Sequence, residues 1–383
     1  MTRTAVLALL ARQGPLSRAE IAGRLELSPA AVTAITRKLI GDGLVTEGGP
    51  RLANPGERAS TGRPSIPLTL VPGAAHAIGV QVAHEHVTLT LTQLDATTVH
   101  AVNHRFDPQG PAPLERLTAL IRAEVDYAVT NELPLLGVGV AVPGVVEPET
   151  GTLRMSMRLG WTGMPLAALL REALDRPVLV DNDISAMTAA ERLYGPGADC
   201  ADFLLVAIGE GVGLGMVLDG APYRGAAGAA GELGHVPVLP DGPVCGCGNR
   251  GCLETQVSTV ALLNRARELG AITAEGDLGD LQAAADSGIP EVLSLLGEAG
   301  DLLGRVLAGS VNLLGPRAVV IAGEITTLWP HLAAPFRQSL TAHLIPAARE
   351  TQIDVRAWDP HLIARGAAGI VLAAPLAVPR QRG

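Results

Sequence analysis

The residues best suited to chemistry in this chain are three cysteines close together, in "CGCGNRGC" at 245–252. With His235 they give the spacing H-x9-C-x-C-x4-C. One imidazole and three thiolates close a tetrahedral zinc site with no open position, so the ion would hold the loop and would not activate water. The glycines between the cysteines let the chain wrap tightly around one ion. We therefore predict that His235, Cys245, Cys247 and Cys252 bind structural Zn²⁺.

A disulfide and scattered free thiols are the alternatives for this cluster. Cys245 and Cys247 are too close in sequence for an easy mutual disulfide, and a reducing compartment would disfavour one. Cys200 lies far from the others along the chain and is expected to be inert.

Two carboxylates flank the predicted metal ligands. Glu232 precedes His235 by three residues, and Glu254 follows Cys252 by two. Zinc would occupy one nitrogen of His235, and the other nitrogen needs a hydrogen-bond partner, which is either a ligand hydroxyl or a backbone carbonyl. Carboxylates beside neutral donors suit a polyol, because each hydroxyl group both donates and accepts. The loop therefore predicts a site for a sugar-like molecule beside the metal.

Charge is distributed unevenly along the 383 residues. Residues 1–64 hold nine Lys and Arg against five Asp and Glu, whereas the remainder holds 20 against 33. This asymmetry predicts a basic module attached to an acidic globular body. No apolar run reaches the length needed to span a bilayer, and the N-terminus reads as an amphipathic helix, which makes a signal peptide the weaker interpretation. We expect a cytoplasmic protein without a membrane partner, whose thiols stay reduced.

The basic module reads as three helices and a wing. "MTRTAVLALLARQG" predicts a helix that ends at Gly14, and Ser17 with Glu20 forms a capping box for the next. Ser28 caps a third helix, "SPAAVTAITRKLIGDG", in which Val32, Ile35 and Leu39 share one face and Thr33, Thr36 and Arg37 point outward. "GLVTEGG" follows as a strand and turn.

Two short helices joined by a tight turn, with a polar outward face on the second, indicate a helix-turn-helix whose second helix enters the major groove. A generic small helical domain is the alternative. The residues predicted to contact DNA are Ser28, Thr33, Thr36, Arg37, Lys38 and Arg63. Arg63 lies in "TGRPS", which either places an arginine in the minor groove or is a plain hinge between domains.

The body reads as α/β. "HAIGVQVAHEHVTLTLTQLD" predicts a hairpin, while "LLGVGVAV" and "PVLVD" are the continuous apolar runs of buried strands. "RAVVIAG" is a further strand and "HLIARGAAGIVLAAPLA" a last helix. We predict a winged helix-turn-helix domain at 1–52 and a wing and linker at 53–72. A small lobe follows at 73–182 plus 365–383, and a large lobe with the zinc loop and the dimer contacts at 183–364.

"GAAGAAGELGHVPV" followed by "CGCGNRGCLE" resembles the signature of the ROK family, which is named for repressors, open reading frames and kinases. The resemblance covers essentially the whole chain, including a winged helix-turn-helix before the body, as in the family's sugar-responsive repressors. It implies the actin-like ATPase, or sugar-kinase, fold. It also implies structural zinc on His235 and the three cysteines, and sugar contacts from Glu232, His235 and Glu254.

"VDNDISA" matches the family's Asn-Asp segment at the end of a strand. By this resemblance Asn182 holds a sugar hydroxyl, and Asp183 stands where the kinases have their general base. A carboxylate there could take the proton of an attacking hydroxyl group. The alternative is that Asp183 merely caps the following helix. In a protein that only binds sugar, Asp183 becomes a further sugar ligand.

Three turns that bind nucleotide in the family's kinases are altered in this chain. Gln81 replaces the aspartate of the first, and Ala83, His84 and Glu85 replace its Gly-Gly-Thr. The other two turns carry Glu210 and Glu324, so carboxylates stand where phosphates would approach. We therefore expect a protein that is not an enzyme.

These features together predict a DNA-binding transcriptional regulator, a repressor, that senses a sugar and acts on a double-stranded operator. A sugar bound between the lobes would favour one arrangement and reorient the DNA-binding domains of a homodimer or dimer of dimers. An ATP-dependent sugar kinase and a repressor controlled by a protein partner are the alternatives.

Two residues bear on the identity of the sugar. Arg158 occupies a position where many family members have a sugar-binding Asn, and it either recognises an anionic sugar or points to solvent. Trp161 either lines the cleft or is a buried core residue.

Overall fold

The structure is a computed structural model that describes residues 3–48 and 66–374. The chain forms two compact units, of which the second is Asp199–Pro360 and the first comprises the residues on either side of it. The sequence placed the divisions at 182/183 and 364/365, whereas these units divide at 198/199 and 360/361. The helix that follows Asn182 packs against the last helix of the chain, so both belong to the first unit.

The N-terminal part of the first unit is a winged helix. Its elements are α1 (Arg3–Gln13), β1 (Leu16–Ser17), α2 (Arg18–Arg24), α3 (Pro29–Gly41), β2 (Val45–Glu47) and β3 (Pro67–Leu70). The three strands form an antiparallel sheet in the order β1-β3-β2. The second wing strand, β3, lies in the segment 53–72 that the sequence assigned to the wing and linker.

Local capping explains where the helices of this part begin and end. Gly14 follows α1 with a φ of 73°. The Ser17 hydroxyl accepts the Glu20 N–H, and the Glu20 carboxylate accepts the Ser17 N–H, which completes the predicted capping box. The Ser28 hydroxyl accepts the Ala31 N–H at the start of α3. The three predicted helices are confirmed.

The body of the first unit is a five-stranded sheet with helices. Its elements are β4 (His76–Val82), β5 (His86–Gln93), β6 (Thr98–Arg105), α4 (Pro113–Thr130), β7 (Leu135–Val142), β8 (Val145–Glu147), β9 (Thr152–Ser156), β10 (Trp161–Met164), α5 (Leu166–Leu174), β11 (Val178–Asn182) and α6 (Asp183–Tyr194). The sheet order is β11-β7-β4-β5-β6, and β8, β9 and β10 form a separate small antiparallel sheet. Strands β4 and β5 are the predicted hairpin.

The second unit repeats this plan. Its elements are β12 (Phe203–Ile208), β13 (Val212–Leu218), β14 (Ala221–Pro222), α7 (Glu254–Val257), α8 (Thr259–Glu268), α9 (Leu278–Asp286), α10 (Pro290–Leu314), β15 (Ala318–Ala322), α11 (Trp329–His343) and β16 (Gln352–Val355). The sheet order is β14-β13-β12-β15-β16. The chain then returns to the first unit with α12 (Leu362–Ala373).

The two large sheets have the same sequence of strand directions. From β6 to β11, and likewise from β14 to β16, two antiparallel pairings are followed by two parallel ones. Parallel strands are buried on both faces, which agrees with the continuous apolar sequences of β7 and β15. The predicted α/β class is confirmed.

The winged helix shares its hydrophobic core with the body of the first unit. Val6 and Leu10 of α1 belong to the same buried cluster as Ala77 of β4 and Val371 of α12. The Thr4 hydroxyl also donates to the carbonyl of Ala373, at 2.9 Å. Residues 3–48 are therefore packed on the body. Among the helices of the described ranges, none is both long enough and apolar enough to cross a bilayer.

Candidate functional site

The four predicted metal ligands lie together in the second unit. One nitrogen of His235 and the sulfurs of Cys245, Cys247 and Cys252 are all within 4.8 Å of one another. His235 Nδ1 is 3.5 Å from Cys245 Sγ, and Cys247 Sγ is 3.7 Å from Cys252 Sγ. Tetrahedral zinc, with bonds of about 2.0–2.3 Å, places neighbouring ligand atoms about 3.5–3.8 Å apart. These two distances match a tetrahedral ion, and the four side chains are close enough together to hold one.

Backbone hydrogen bonds wrap the loop around this cluster. The Cys245 N–H donates to the Asn249 carbonyl at 2.8 Å, and the Gly248 N–H donates back to the Cys245 carbonyl at 2.9 Å. Gly251 has a φ of 64°, and a Cβ at this position would overlap the carbonyl of Leu239. The glycines thus allow the tight turn that brings the cysteines together.

The thiols of the cluster differ in acidity when no cation is bound. Burial raises the pKa of Cys245 to about 12 and also raises the pKa of Cys252. The backbone N–H of Asn249 lowers the pKa of Cys247. Thiolates are the form that binds zinc, so a cation would stabilise the ionised form that burial opposes.

A carboxylate lies near each ring nitrogen of His235. Nδ1 lies toward Cys245 and is 3.7 Å from Glu254 Oε1, whereas Nε2 is 3.7 Å from Glu232 Oε2. Glu254 Oε1 also accepts a hydrogen bond from the Cys245 thiol at 3.1 Å. Burial raises the pKa of Glu232, and Glu254 adds to this effect while His235 opposes it. The structure therefore brings Glu232, His235 and Glu254 together, with Nδ1 as the nitrogen placed to bind the metal.

Asn182 and Asp183, the other two predicted sugar ligands, lie in the first unit at the start of α6. Asn182 Oδ1 accepts the N–H groups of Ile184 and Ser185, at 2.9 and 3.2 Å, and its Nδ2 donates to the Gly144 carbonyl at 2.9 Å. The helix cap that the sequence attributed to Asp183 as an alternative thus belongs to Asn182, because Asp183 is already the first helical residue.

The two residues that bear on the sugar's identity are also placed. Trp161 is buried, and its indole N–H donates to the Pro108 carbonyl at 2.8 Å, so it is a core residue. Arg158 is half-buried, and its carbonyl accepts a hydrogen bond from His84 Nδ1 at 3.1 Å. This bond ties the turn between β4 and β5 to the segment before Trp161. The contact of Arg158 with an anionic sugar stays one of the two alternatives that the sequence offered.

The altered kinase turns occupy strand ends in both units. Residues 83–85 connect β4 to β5, where the Ala83 N–H donates to the His86 carbonyl at 2.9 Å. Glu210 lies in the tight turn between β12 and β13. Glu324 follows β15 and accepts a hydrogen bond from the Thr259 hydroxyl at 3.1 Å; its Oε2 is 3.5 Å from where a Cβ of Gly209 would lie. Two carboxylates therefore belong to, or lie beside, the 209–211 turn.

The predicted DNA-binding residues fall into three groups. Ser28, Thr33, Arg37 and Lys38 are exposed, as predicted. Thr36 is fully buried, so its predicted outward position is wrong; it lies one turn after Val32 on the same face of α3. Arg63 lies outside the described residues.

Known protein families and proteins resemble this chain along nearly its whole length. Residues 77–374 match the model of the ROK family, and residues 1–47 match that of the MarR family. The chain belongs to the ROK family. The N-acetylglucosamine repressor of Escherichia coli O157:H7 is 31% identical over 385 residues, which cover 98% of this chain and 93% of that protein.

Similarity within the ROK family extends to regulators and to kinases. The crystal structure of a ROK family transcriptional regulator, a homolog of the E. coli MLC protein, superimposes with a TM-score of 0.79 at 26% identity and covers 97% of this chain and 96% of that one. The glucokinase of Halalkalibacterium halodurans is 33% identical over 229 residues, covering 55% of this chain and 68% of that enzyme.

Sequence reasoning missed Arg18 and Glu47. Arg18 Nε donates to the Thr36 hydroxyl at 3.1 Å, and its Nη2 donates to Glu47 Oε1 at 2.7 Å. The capping box placed Arg18 at the start of α2, but no local spacing relates it to residues 18 and 29 positions later along the chain. Only the packing of three elements reveals this contact.

Proposed function

We propose that this protein is a DNA-binding transcriptional regulator, acting as a repressor, that responds to a sugar or sugar derivative. The proposal depends on two features that occur together in this ROK chain. One is a winged helix with an exposed polar face on α3. The other is a carboxylate–imidazole cluster that includes one of the four candidate metal ligands. The similarity to an N-acetylglucosamine repressor and to a ROK transcriptional regulator supports it.

The DNA contacts that we propose come from α3 and its N-cap. Thr33, Arg37 and Lys38 lie exposed on α3, where an arginine or lysine can reach phosphates and base edges of a double-stranded operator. Ser28 caps the helix and also lies exposed at its N-terminus. A homodimer or dimer of dimers would let two such helices read half-sites about one turn of DNA apart.

The sugar contacts that we propose are Glu232, His235 and Glu254, together with Asn182 and Asp183. Zn²⁺ on His235, Cys245, Cys247 and Cys252 would cross-link the loop and fix the His235 ring. The imidazole then holds its position between Glu232 and Glu254 whether or not a sugar is present.

We further propose that this chain does not phosphorylate sugars. Glu210 and Glu324 place two carboxylates at the 209–211 turn, and like charge disfavours the phosphates of a nucleotide there. Asp183 then has no phosphoryl group to act on and serves as a sugar ligand. The glucokinase relative is the observation that favours a kinase as the second candidate.

A route for the response exists within the first unit. Helix α6 begins at Asp183, beside Asn182, and packs against both α1 of the winged helix and α12. A sugar that binds Asn182 and Asp183 better in one position of α6 would shift α1, and with it the DNA-binding surface. We propose this shift as the response to the sugar.

The function is tested by DNA binding in the presence of sugars. The full chain is used to select duplexes from a random library, and its affinity for the best duplex is measured with N-acetylglucosamine, N-acetylmannosamine, glucose and xylose. We expect one sugar to change the affinity at least about fivefold, the lower end of ordinary allosteric coupling. Glu232→Gln should keep the DNA affinity and lose the response.

Two results would contradict parts of this proposal. DNA binding that no sugar changes argues for control by a protein partner. ATP-dependent phosphorylation of any of these sugars at about 1 s⁻¹ or faster, an ordinary enzymatic rate, argues for a kinase.

The metal is tested separately. Cys247→Ser should abolish stoichiometric zinc in the purified protein, measured by mass spectrometry of the metal, and should lower the unfolding temperature, because metal binding stabilises only the folded loop. Cys200→Ser is the matched control and should retain both, since Cys200 lies outside the cluster. Equal zinc content in the two variants would contradict the proposed zinc site.

A further inference from the structure

We propose that Arg18 is a positioning residue of the DNA-binding surface, which holds recognition helix α3 and wing strand β2 in one arrangement without touching DNA itself. The proposal rests on DNA binding as proposed above and goes beyond it, because it assigns a role to a cation that the sequence did not place in the site.

The guanidinium of Arg18 joins three elements of the winged helix. Arg18 is the first residue of α2; its Nε donates to Thr36 Oγ1 of α3 at 3.1 Å, and its Nη2 donates to Glu47 Oε1 of β2 at 2.7 Å. The guanidinium is planar and its donors have fixed directions, so these two bonds set its orientation. One side chain therefore links α3 to β2 and restricts the angle between them.

Thr36 is built to accept this bond. Its side chain is fully buried, and its hydroxyl donates to the Val32 carbonyl at 2.8 Å, which leaves its oxygen lone pairs for Arg18. A buried threonine cannot reach a base or a phosphate. It can act on DNA binding only through the helix that carries it.

The neighbours of Arg18 argue against a direct phosphate contact. About a third of its side chain is exposed, and its charge is paired with Glu47, whose own side chain is 45% exposed. A phosphate that approached Arg18 would meet the Glu47 carboxylate as well.

The cations around α3 divide accordingly into two groups. Arg3 of α1 pairs with Asp42, the C-cap residue that follows α3, at 2.8 Å, so α3 is held by an arginine from each of the two preceding helices. Arg37 and Lys38 are exposed and have no ion pair within residues 3–48 and 66–374. We assign Arg3 and Arg18 to the scaffold, and Arg37 and Lys38 to phosphate contacts.

The salt dependence of binding separates these roles. Each cation that neutralises a phosphate releases counterions, so its loss reduces the slope of log K against log salt by about one. The loss of a positioning residue lowers affinity for the selected sequence and leaves that slope unchanged. It also leaves binding to random sequence nearly unaffected, because that binding depends on phosphates alone.

The experiment uses the full chain, a duplex selected by the wild type and a scrambled duplex, at salt concentrations between about 50 and 200 mM. Arg18→Gln and Thr36→Val should each weaken binding to the selected duplex about tenfold, as expected for loss of a hydrogen bond to a charged group, with the wild-type slope. The double variant should be no weaker than Arg18→Gln alone, since both changes break one contact. Arg37→Gln is the matched control and should reduce the slope by about one.

Hydrogen exchange of the free variants supplies a second measurement. Amides of α3 and β2 should exchange faster in Arg18→Gln than in the wild type, while α1 keeps its protection. Unchanged exchange together with a slope reduced by about one in Arg18→Gln would make Arg18 a phosphate contact and overturn the proposal. Wild-type affinity in Thr36→Val would overturn it as well. A wild type that binds no duplex would instead overturn the proposed function, on which this inference rests.

Discussion

His235 presents one ring nitrogen to the cysteines and the other to Glu232, at distances of 3.5 and 3.7 Å. Once metal holds Nδ1, only Nε2 remains for a ligand, and the ring cannot rotate to change this. A substitution that removes the metal therefore also frees the imidazole between Glu232 and Glu254. We expect the sugar response to weaken in Cys247→Ser even though Cys247 is not a predicted sugar ligand.

A second histidine predicts how stability depends on pH. His76 on β4 is 1% exposed, and among the described residues neither of its ring nitrogens makes a well-aligned hydrogen bond. Burial lowers the pKa of His76, with the Pro134 carbonyl opposing in part. In the unfolded chain, a histidine has its ordinary pKa of about 6.5. Neutral His76 therefore makes its full contribution to the free energy of unfolding above about pH 6.5. That contribution is lost as the pH falls toward the lower pKa of the folded state.

We therefore expect His76→Leu to reduce the loss of stability between about pH 7.5 and pH 5.5. The contribution of one histidine is at most about 1.4 kcal/mol at pH 5.5, the linkage limit for one proton over one pH unit. Urea unfolding at the two pH values measures it. His104→Leu, an exposed histidine on β6, is the control and should keep the wild-type difference. Equal pH dependence in wild type and His76→Leu would contradict the assignment.

At the scale of the elements, capping and periodicity predicted the winged helix well, and the failures have physical reasons. At 100° per residue, Thr36 lies about 40° from Val32, inside the apolar face of α3. The Thr36 hydroxyl donates a hydrogen bond to the Val32 carbonyl, so burying this side chain costs little free energy. Polarity alone therefore misled the prediction for Thr36.

Other features depend on contacts between distant segments. The small sheet of β8, β9 and β10 was not predicted, because strands of three to five residues are too short for a periodic pattern to stand out. The three cysteines indicated the metal cluster because its ligands are close in sequence. The Arg18 contacts join three elements, and a single sequence does not contain that information.

Helices α6 and α12 cross with their backbones in close approach. A Cβ at Gly366 would lie 2.6 Å from the Ala186 carbonyl oxygen, whereas one at Gly369 would meet nothing nearer than about 3.9 Å. Both glycines are buried in α12. The crossing at Gly366 therefore sets the distance between the two helices.

We expect Gly366→Ala to be less stable than Gly369→Ala by about 1–3 kcal/mol, the usual cost of overpacking. Both substitutions gain the same helix propensity, about 1 kcal/mol, so their difference isolates the clash. Urea unfolding of the two variants measures it. If α6 transmits the sugar signal, Gly366→Ala should also alter the sugar response of DNA binding while Gly369→Ala leaves it intact. Equal stability of the two variants would show that α6 and α12 can move apart without loss of free energy of unfolding.

At the scale of the molecule, the shared strand order of the two units could be expected from the family resemblance but not from the apolar runs alone, because a buried run does not reveal its neighbours. The sequence also treated the winged helix as a separate domain. The buried cluster that joins α1 to β4 and α12 argues otherwise: Val6, Leu9 and Leu10 are 0–2% exposed in it. Because the winged helix shares this core with the body, we expect the two to move and unfold together.

Cooperative unfolding tests this coupling. Val6→Ala removes two buried methyl groups from the shared core and should cost about 2 kcal/mol. In hydrogen exchange followed by mass spectrometry, protection should fall together in α1, β4 and α12, because one cluster stabilises all three. Val129→Ala, a valine of α4 that is 57% exposed, is the matched control and should change none of them. If Val6→Ala deprotects residues 3–48 while β4 and α12 keep their protection, the winged helix unfolds as an independent module, and α1 cannot carry a signal from α6.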